Sequence, residues 1–264
     1  MIPRVNTLRF VGALFATNMK SALILRGAFV MQVVFMALNN LTFFVFWWAL
    51  MRRVPDLRGW RLVDIQVLYG VVAAGVGLTF TVAGGLVHLG QFIDEGQLDT
   101  LLTQPKPVLV HALGLRLRAS GVGDVLFGLA FIALSGLASV KTLPLVVLAI
   151  LTSALVFAAC GIVFFSLAFW LGRVETFARQ LWDLLITFSL YPEPLFGGAV
   201  RLALFTVLPA GFVGHLPVRL LQNASAGDAL MLVAAASTYT AIAVVVFQRG
   251  LRRYSSGSRF GTFG

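Results

Sequence analysis

Long apolar runs separated by short polar stretches set the layout of this chain. Residues 27–50 contain no charged side chain. At about 1.5 Å per helical residue that run is long enough to cross ~30 Å of hydrocarbon. Comparable runs cover 65–87, 121–140, 145–171 and 229–247. Residues 174–228 are less regular. The run 176–192 carries Arg179 and Asp183 near its start, and a second run, 195–213, contains Arg201 and Pro209. Two weakened segments in succession suggest one crossing followed by a re-entrant element over 193–217. Such backbone is tolerated at membrane depth only where protein or a watery cavity surrounds it. Tyr191, Pro192, Pro194, Pro209 and Pro217 punctuate this region. The expected architecture is an all-α integral membrane protein, one domain over 1–264, with six transmembrane helices. Were both weak runs to cross, there would be seven, with the termini on opposite sides.

The first 26 residues follow a different pattern. Leu8, Val11, Phe15, Met19 and Leu23 recur at steps of three and four, one stripe of a helix, with Arg9 and Lys20 on another face. Asn18, Lys20 and Arg26 interrupt the apolar character, so a secretory signal is not expected. An interfacial amphipathic helix over 1–26 fits better, with a frayed start to the first span as the alternative.

Composition agrees with a lipid solvent. The 264 residues are 59% hydrophobic and 11% charged, with a mean hydropathy of +0.94; a soluble domain carries about 25% charged residues. The net charge of +10 points to anionic headgroups rather than nucleic acid, because no basic polar domain exists to hold one. With six spans and both termini inside, the predicted inner segments hold 13 of the 20 Lys and Arg residues and the outer ones 7. That bias supports cytosolic termini. The lone Cys160 excludes an intrachain disulfide.

The most distinctive polar island is 91–108, QFIDEGQLDTLLTQPKPV. It holds three of the ten acidic residues, Asp94, Glu95 and Asp99, interleaved with Phe92, Ile93, Leu98, Leu101 and Leu102. Gly96 lies in its middle, and Pro105 and Pro107 close it. Glu95 and Asp99 are four apart and share a helical face, beside an apolar patch of three leucines. The pattern reads as a short docking helix, or a pair, at the cytosolic membrane surface; an ordinary solvated loop is the alternative.

Catalytic and metal chemistry has no candidate. The phosphate-cradling pattern Gly-x-x-x-x-Gly-Lys-Ser/Thr is absent. His88, His111 and His215 are scattered over separate loops, and no Gly-x-Ser-x-Gly elbow occurs. Ser120, Ser135, Ser153 and Ser166 read as small residues that let helices approach. Gln32, Asn39 and Asn40 are polar groups within the first span. They line either a pathway or a packed helix interface, since polar groups at this depth are costly unless used. Asp124 opens the third span and is expected at headgroup level. Several mid-depth acids would be needed for a proton relay, and they are lacking. No catalytic, cofactor-binding or metal residue is therefore assigned, and an enzyme is not expected.

Three motifs together resemble the permeases of bacterial type-2 ATP-binding-cassette (ABC) exporters: DEGQLDTLLTQP at 94–105, LYPEPLF at 190–196 with VLPAGFV at 207–213 and Leu216 and Pro217, and GLRRYSS at 250–256. The resemblance spans nearly the whole chain. It implies that Asp94, Glu95, Gly96, Leu98, Asp99, Leu101 and Leu102 form a coupling helix docking on a separate ABC ATPase, present in two copies, where ATP and magnesium would bind. It implies a second permease, identical or homologous, a re-entrant element at 193–217 and a place in the bacterial inner membrane. The alternative from another class is a channel or membrane assembly factor with no ATPase partner.

Overall fold

The computed structural model describes residues 7–254, and these are helical almost throughout. Helix α1, Thr7–Ile24, passes through the single non-helical residue Leu25 into α2, Arg26–Met51. Helix α3, Leu62–Val82, starts where the Asp64 carboxylate accepts the Arg61 amide at 2.7 Å, satisfying a donor that the first helical turn leaves open. The polar island follows as two short helices, α4 Leu89–Asp94 and α5 Leu98–Leu102, and leads to α6, Val108–Gly114. Helix α7, Ala119–Leu134, is bent by 82° from α6. Helix α8, Leu143–Ser166, has Pro144 in its first turn, where the missing amide costs nothing. Then come α9 (Ala168–Leu171), α10 (Glu175–Ser189), α11 (Gly198–Ala203), α12 (Leu216–Asn223) and α13 (Ala226–Arg253). Ser225 caps α13 by accepting from the Asp228 amide.

Four helical stretches are long and apolar enough to cross a membrane: Arg26–Met51, Leu62–Val82, Leu143–Leu171 and Ala226–Arg253; the bent pair α6 and α7 would make a fifth. They answer to the first, second, fourth and sixth expected spans, with the bent pair in the place of the third. The remaining element, α10, has 15 residues, roughly 22 Å of helix and shorter than the hydrocarbon core. Its Arg179 pairs with Glu175 at 2.7 Å in the first two turns, while Asp183 lies at the middle of the helix. The GLRRYSS motif and the N-terminal residues before Thr7 lie partly or wholly outside the described residues.

Helix α3 is the central post, packed against α7 on one side and α8 on another. Its seam with α7 is glycine on glycine. A Cβ on Gly77 would lie 2.6 Å from the Gly121 carbonyl, and one on Gly121 2.7 Å from the Gly77 carbonyl. Seven residues along each helix, Gly70 and Gly128 repeat the contact. Without a hydrophobic driving force between helices in lipid, close backbone approach through small residues supplies the packing. Toward α8, Gly75 meets Ser153, and the Thr79 hydroxyl donates to the Ala154 carbonyl at 3.1 Å.

The segment after α10 folds back against this post. Its π-helical turn, Gly211–His215, packs on α3, α8 and α10. The Ser153 hydroxyl, midway along α8, donates to the Val213 carbonyl at 2.7 Å, so Ser153 is a bonding residue as well as a small one. His215 Nε2 meets the Tyr191 carbonyl at 2.8 Å, and Gln222 donates to the buried Asp64 carboxylate at 2.5 Å. Pro217 lies in the first turn of α12. The Arg58 guanidinium reaches the Pro194 carbonyl, so the 51–61 loop and the 190–223 segment share one end of the bundle.

Candidate functional site: the polar island and a membrane-depth cavity

At the other end of the bundle, the polar island is built as the sequence suggests, as two short helices with a sharp bend between them. Gly96 adopts φ +74°, a conformation that strains any residue with a Cβ. The Asp99 amide donates back to the Gly96 carbonyl at 3.1 Å and starts α5. The leucine patch requires a correction. Leu98 and Leu101 are 0% and 4% exposed and belong, with Phe92 and Ile93, to the main hydrophobic core; only Leu102, 45% exposed, faces outward. Two helices this short cannot hold their shape alone, so the apolar face that could have been a docking patch is used to seat them. What remains outside is Glu95, Gln97, Thr100, Leu102, Thr103 and Gln104, with Pro105 and Pro107 after them.

The island seats against the ends of three other helices. A cleft of about 750 Å³ lies between α4, the α9–α10 junction and the end of α13, lined among others by Asp94, Glu95, Trp170, Arg173, Glu175 and Tyr254. Partial burial holds the Asp94 carboxyl above its usual range; Arg173 opposes this, while Glu175 and Glu95 reinforce it. The Tyr254 phenol is pushed up to about 12 by burial and by the adjacent Asp99 carboxylate. Asp99 thus touches the end of the last long helix, a link with no signature in local sequence.

Helix α1 braces the same end. The Asn18 amide donates to the Gly114 carbonyl at 2.7 Å, Phe10 meets His111 edge-on, and Lys106 lies 4.1 Å over the Phe10 ring. The packed face therefore runs through Phe10, Leu14 and Asn18, while Phe15 and Leu23 of the expected stripe are exposed. An apolar stripe left open on a helix docked through its other side suits contact with lipid.

Within the long helices lies a second cavity, about 560 Å³, between α2, α3, α7 and α10. Asn39 and Asn40 line it; Gln32 does not. Asn40 Nδ2 donates to Asp124 Oδ1 at 2.6 Å across the α2–α7 contact, so Asn40 serves packing and cavity at once. Asp124 is 3% exposed. Its side chain lies within the protein, beside Gly77, rather than on the outer surface of the bundle. A carboxylate within an apolar run was the sequence signal for this, since such groups face a bundle interior or a cavity. Tyr191 also lines the cavity, whereas Pro192, Pro194, Pro209 and Pro217 shape the turns beyond it.

A bundle of long apolar helices around a membrane-depth cavity, with a polar two-helix segment at one end, defines a multi-pass membrane protein of transport type. A family model for ABC-2 family transporter proteins matches residues 22–258. The chain belongs to that family, whose membrane members act as permeases of ABC transporters. Comparison with curated proteins and with solved structures returns no match.

Proposed function

We propose that this chain is the permease subunit of an ATP-driven exporter in the bacterial inner membrane, with cytosolic termini, working with a second permease, identical or homologous, and two copies of a separate ABC ATPase. In this reading the outer rim of the island, Glu95, Thr100, Leu102 and Thr103, docks on the ATPase, and the six crossings include α10 with 193–217 as a re-entrant element. ATP and magnesium belong to the ATPase.

The observation that carries the proposal is the way the island is seated. Its exposed rim is free to meet a partner, while Phe92, Ile93, Leu98 and Leu101 are sunk in the core shared with α3 and α8. A push on the rim is therefore delivered to α3, which borders the cavity, because packed interiors transmit strain rather than absorb it. Helices α2, α3 and α10, which border the cavity together with α7, supply the path. The uncovered apolar face of α2 is where the second permease sits.

The test is co-expression with candidate ABC ATPases from the same genome, any encoded next to this chain first. Expected are co-purification, ATP-dependent transport in vesicles, and loss of transport in Leu102→Asp and Glu95→Lys with normal insertion. Normal transport in the double variant would sink the docking reading. Passive ion flux from this chain alone in liposomes would replace it with a channel.

A further inference from the structure

The membrane-depth cavity has a chemical character of its own. Seventeen residues line it, and six of them are aromatic: Phe43, Phe46, Trp47, Tyr69, Phe80 and Tyr191. Among the seventeen there is no Lys, Arg or His, and Asp124 is the one acid. That carboxylate is half satisfied. Oδ1 accepts from Asn40 at 2.6 Å, while Oδ2, buried in the wall, meets no hydrogen-bond donor among the described residues. A buried carboxylate oxygen without a donor is costly, so it persists where something else supplies the missing positive charge or proton. Among the described residues Arg118 is the charge whose field reaches Asp124, yet no ion pair joins them; the guanidinium instead stacks 4.6 Å over the Phe80 ring. Phe80, one of the lining rings, thus already carries a cation on one of its faces, although Arg118 itself does not line the cavity.

We infer that the cavity between α2, α3, α7 and α10 binds a lipophilic organic cation, its apolar body among the aromatic rings and its positive centre directed to Asp124. Aromatic faces attract cations through the ring quadrupole, most strongly where water is excluded. An anion of the same shape would meet the ring faces and the carboxylate with the wrong sign. An uncharged apolar molecule would leave Oδ2 as it is. The inference rests on the reading of this cavity as part of the transport path, and adds the class of substrate.

Opposite charges on one shape provide the test. The full chain is placed in nanodiscs of zwitterionic lipid, and saturable binding of tetraphenylphosphonium and tetraphenylborate is measured by equilibrium dialysis against empty nanodiscs. The cation is expected to bind saturably and the anion only as it does to lipid. Asp124→Asn should weaken cation binding on the order of tenfold, as expected for loss of a charged partner, and Asp124→Glu should retain most of it. Phe43→Leu, on an open face of α2, should weaken the cation by about threefold and leave the anion unchanged. Equal saturable binding of both ions overturns the inference, as does absence of saturable cation binding or indifference to Asp124→Asn. If that variant does not insert, Phe43→Leu decides: unchanged cation binding overturns the inference. No ATPase is needed for this measurement. Failure here alongside ATPase co-purification and ATP-driven transport would remove the substrate class and leave the exporter standing.

Discussion

The most apolar 18-residue stretches of α2 and α3 have the same mean hydropathy, yet 78% of that of α3 is buried in the protein and none of that of α2 is. The difference lies in side-chain size. Helix α3 carries Gly70, Gly75 and Gly77 on the faces that meet α7 and α8. Helix α2 carries Phe35, Phe43, Phe46 and Trp48, all exposed. In water both would be driven into a core. In lipid, burying a phenylalanine gains little, whereas two glycines allow backbones to approach and exchange dispersion contacts. Apolarity decides that a segment enters the membrane, and small residues decide what it touches there.

The strongest way to break this comparison is to put bulk into the seam. Gly77→Leu should destabilise by about 3 kcal/mol or more, because the added atoms meet the Gly121 carbonyl and the Asp124 Cβ with no void to take them. The same change of size on α2, such as Val34→Phe at an exposed site, should leave stability within about 0.5 kcal/mol. Thermal midpoints in detergent compare the two; equal effects would refute the role of the seam.

A second pair applies the contrast to adjacent residues. Leu101→Asp, which inserts an unpaired charge into the core, should cost about 3 kcal/mol or more and lower the amount of folded protein. Leu102→Asp should leave the midpoint within about 0.5 kcal/mol and reduce ATP-dependent transport. If both lowered the midpoint alike, the island would not have an inner and an outer leucine.

At the opposite end, Asp64→Ala leaves the Arg61 amide and the Gln222 side chain without their acceptor. A cost of about 1–3 kcal/mol is expected, read from the same midpoints, with Gln222→Ala costing less because the Arg61 amide stays paired.

The smallest effect is electrostatic. Because the Asp94 pKa is raised in the folded protein, the ionised carboxylate costs stability above the ordinary carboxylate range, and that cost disappears as pH falls below it. Asp94→Asn should therefore be slightly more stable than the parent near pH 7 and indistinguishable from it at about pH 2, below the ordinary carboxylate range, with solvent screening keeping the gain small. A gain that grew as pH fell would have the wrong sign.

How much of the site was legible follows the same division. Glu95, Gly96 and Asp99 could be read as a bent pair of short helices, since a glycine between two apolar-acidic turns has a local cause. Which leucine faces out could not, because Leu101 and Leu102 are equally apolar and their directions depend on where α3 and α8 lie. Asn40 could be read as a polar group needing a partner, but its partner is 84 residues away. Asp124 sits near the start of an apolar run, where burial and headgroup contact look alike in one dimension.

By itself, the sequence determined that this protein lives in lipid, which stretches are long and apolar, that a polar island divides them, and which family it resembles. These follow from transfer free energies and local backbone preferences, which are properties of short stretches. Tertiary structure alone decided that glycines on α3 and α7 meet, that α2 keeps an open face, that the island is anchored through Leu98 and Leu101, and that Asn40 and Asp124 close the wall of an aromatic cavity. Those outcomes depend on contacts between residues far apart in the chain, whose strength is set by the distance of approach that only the assembled helices define.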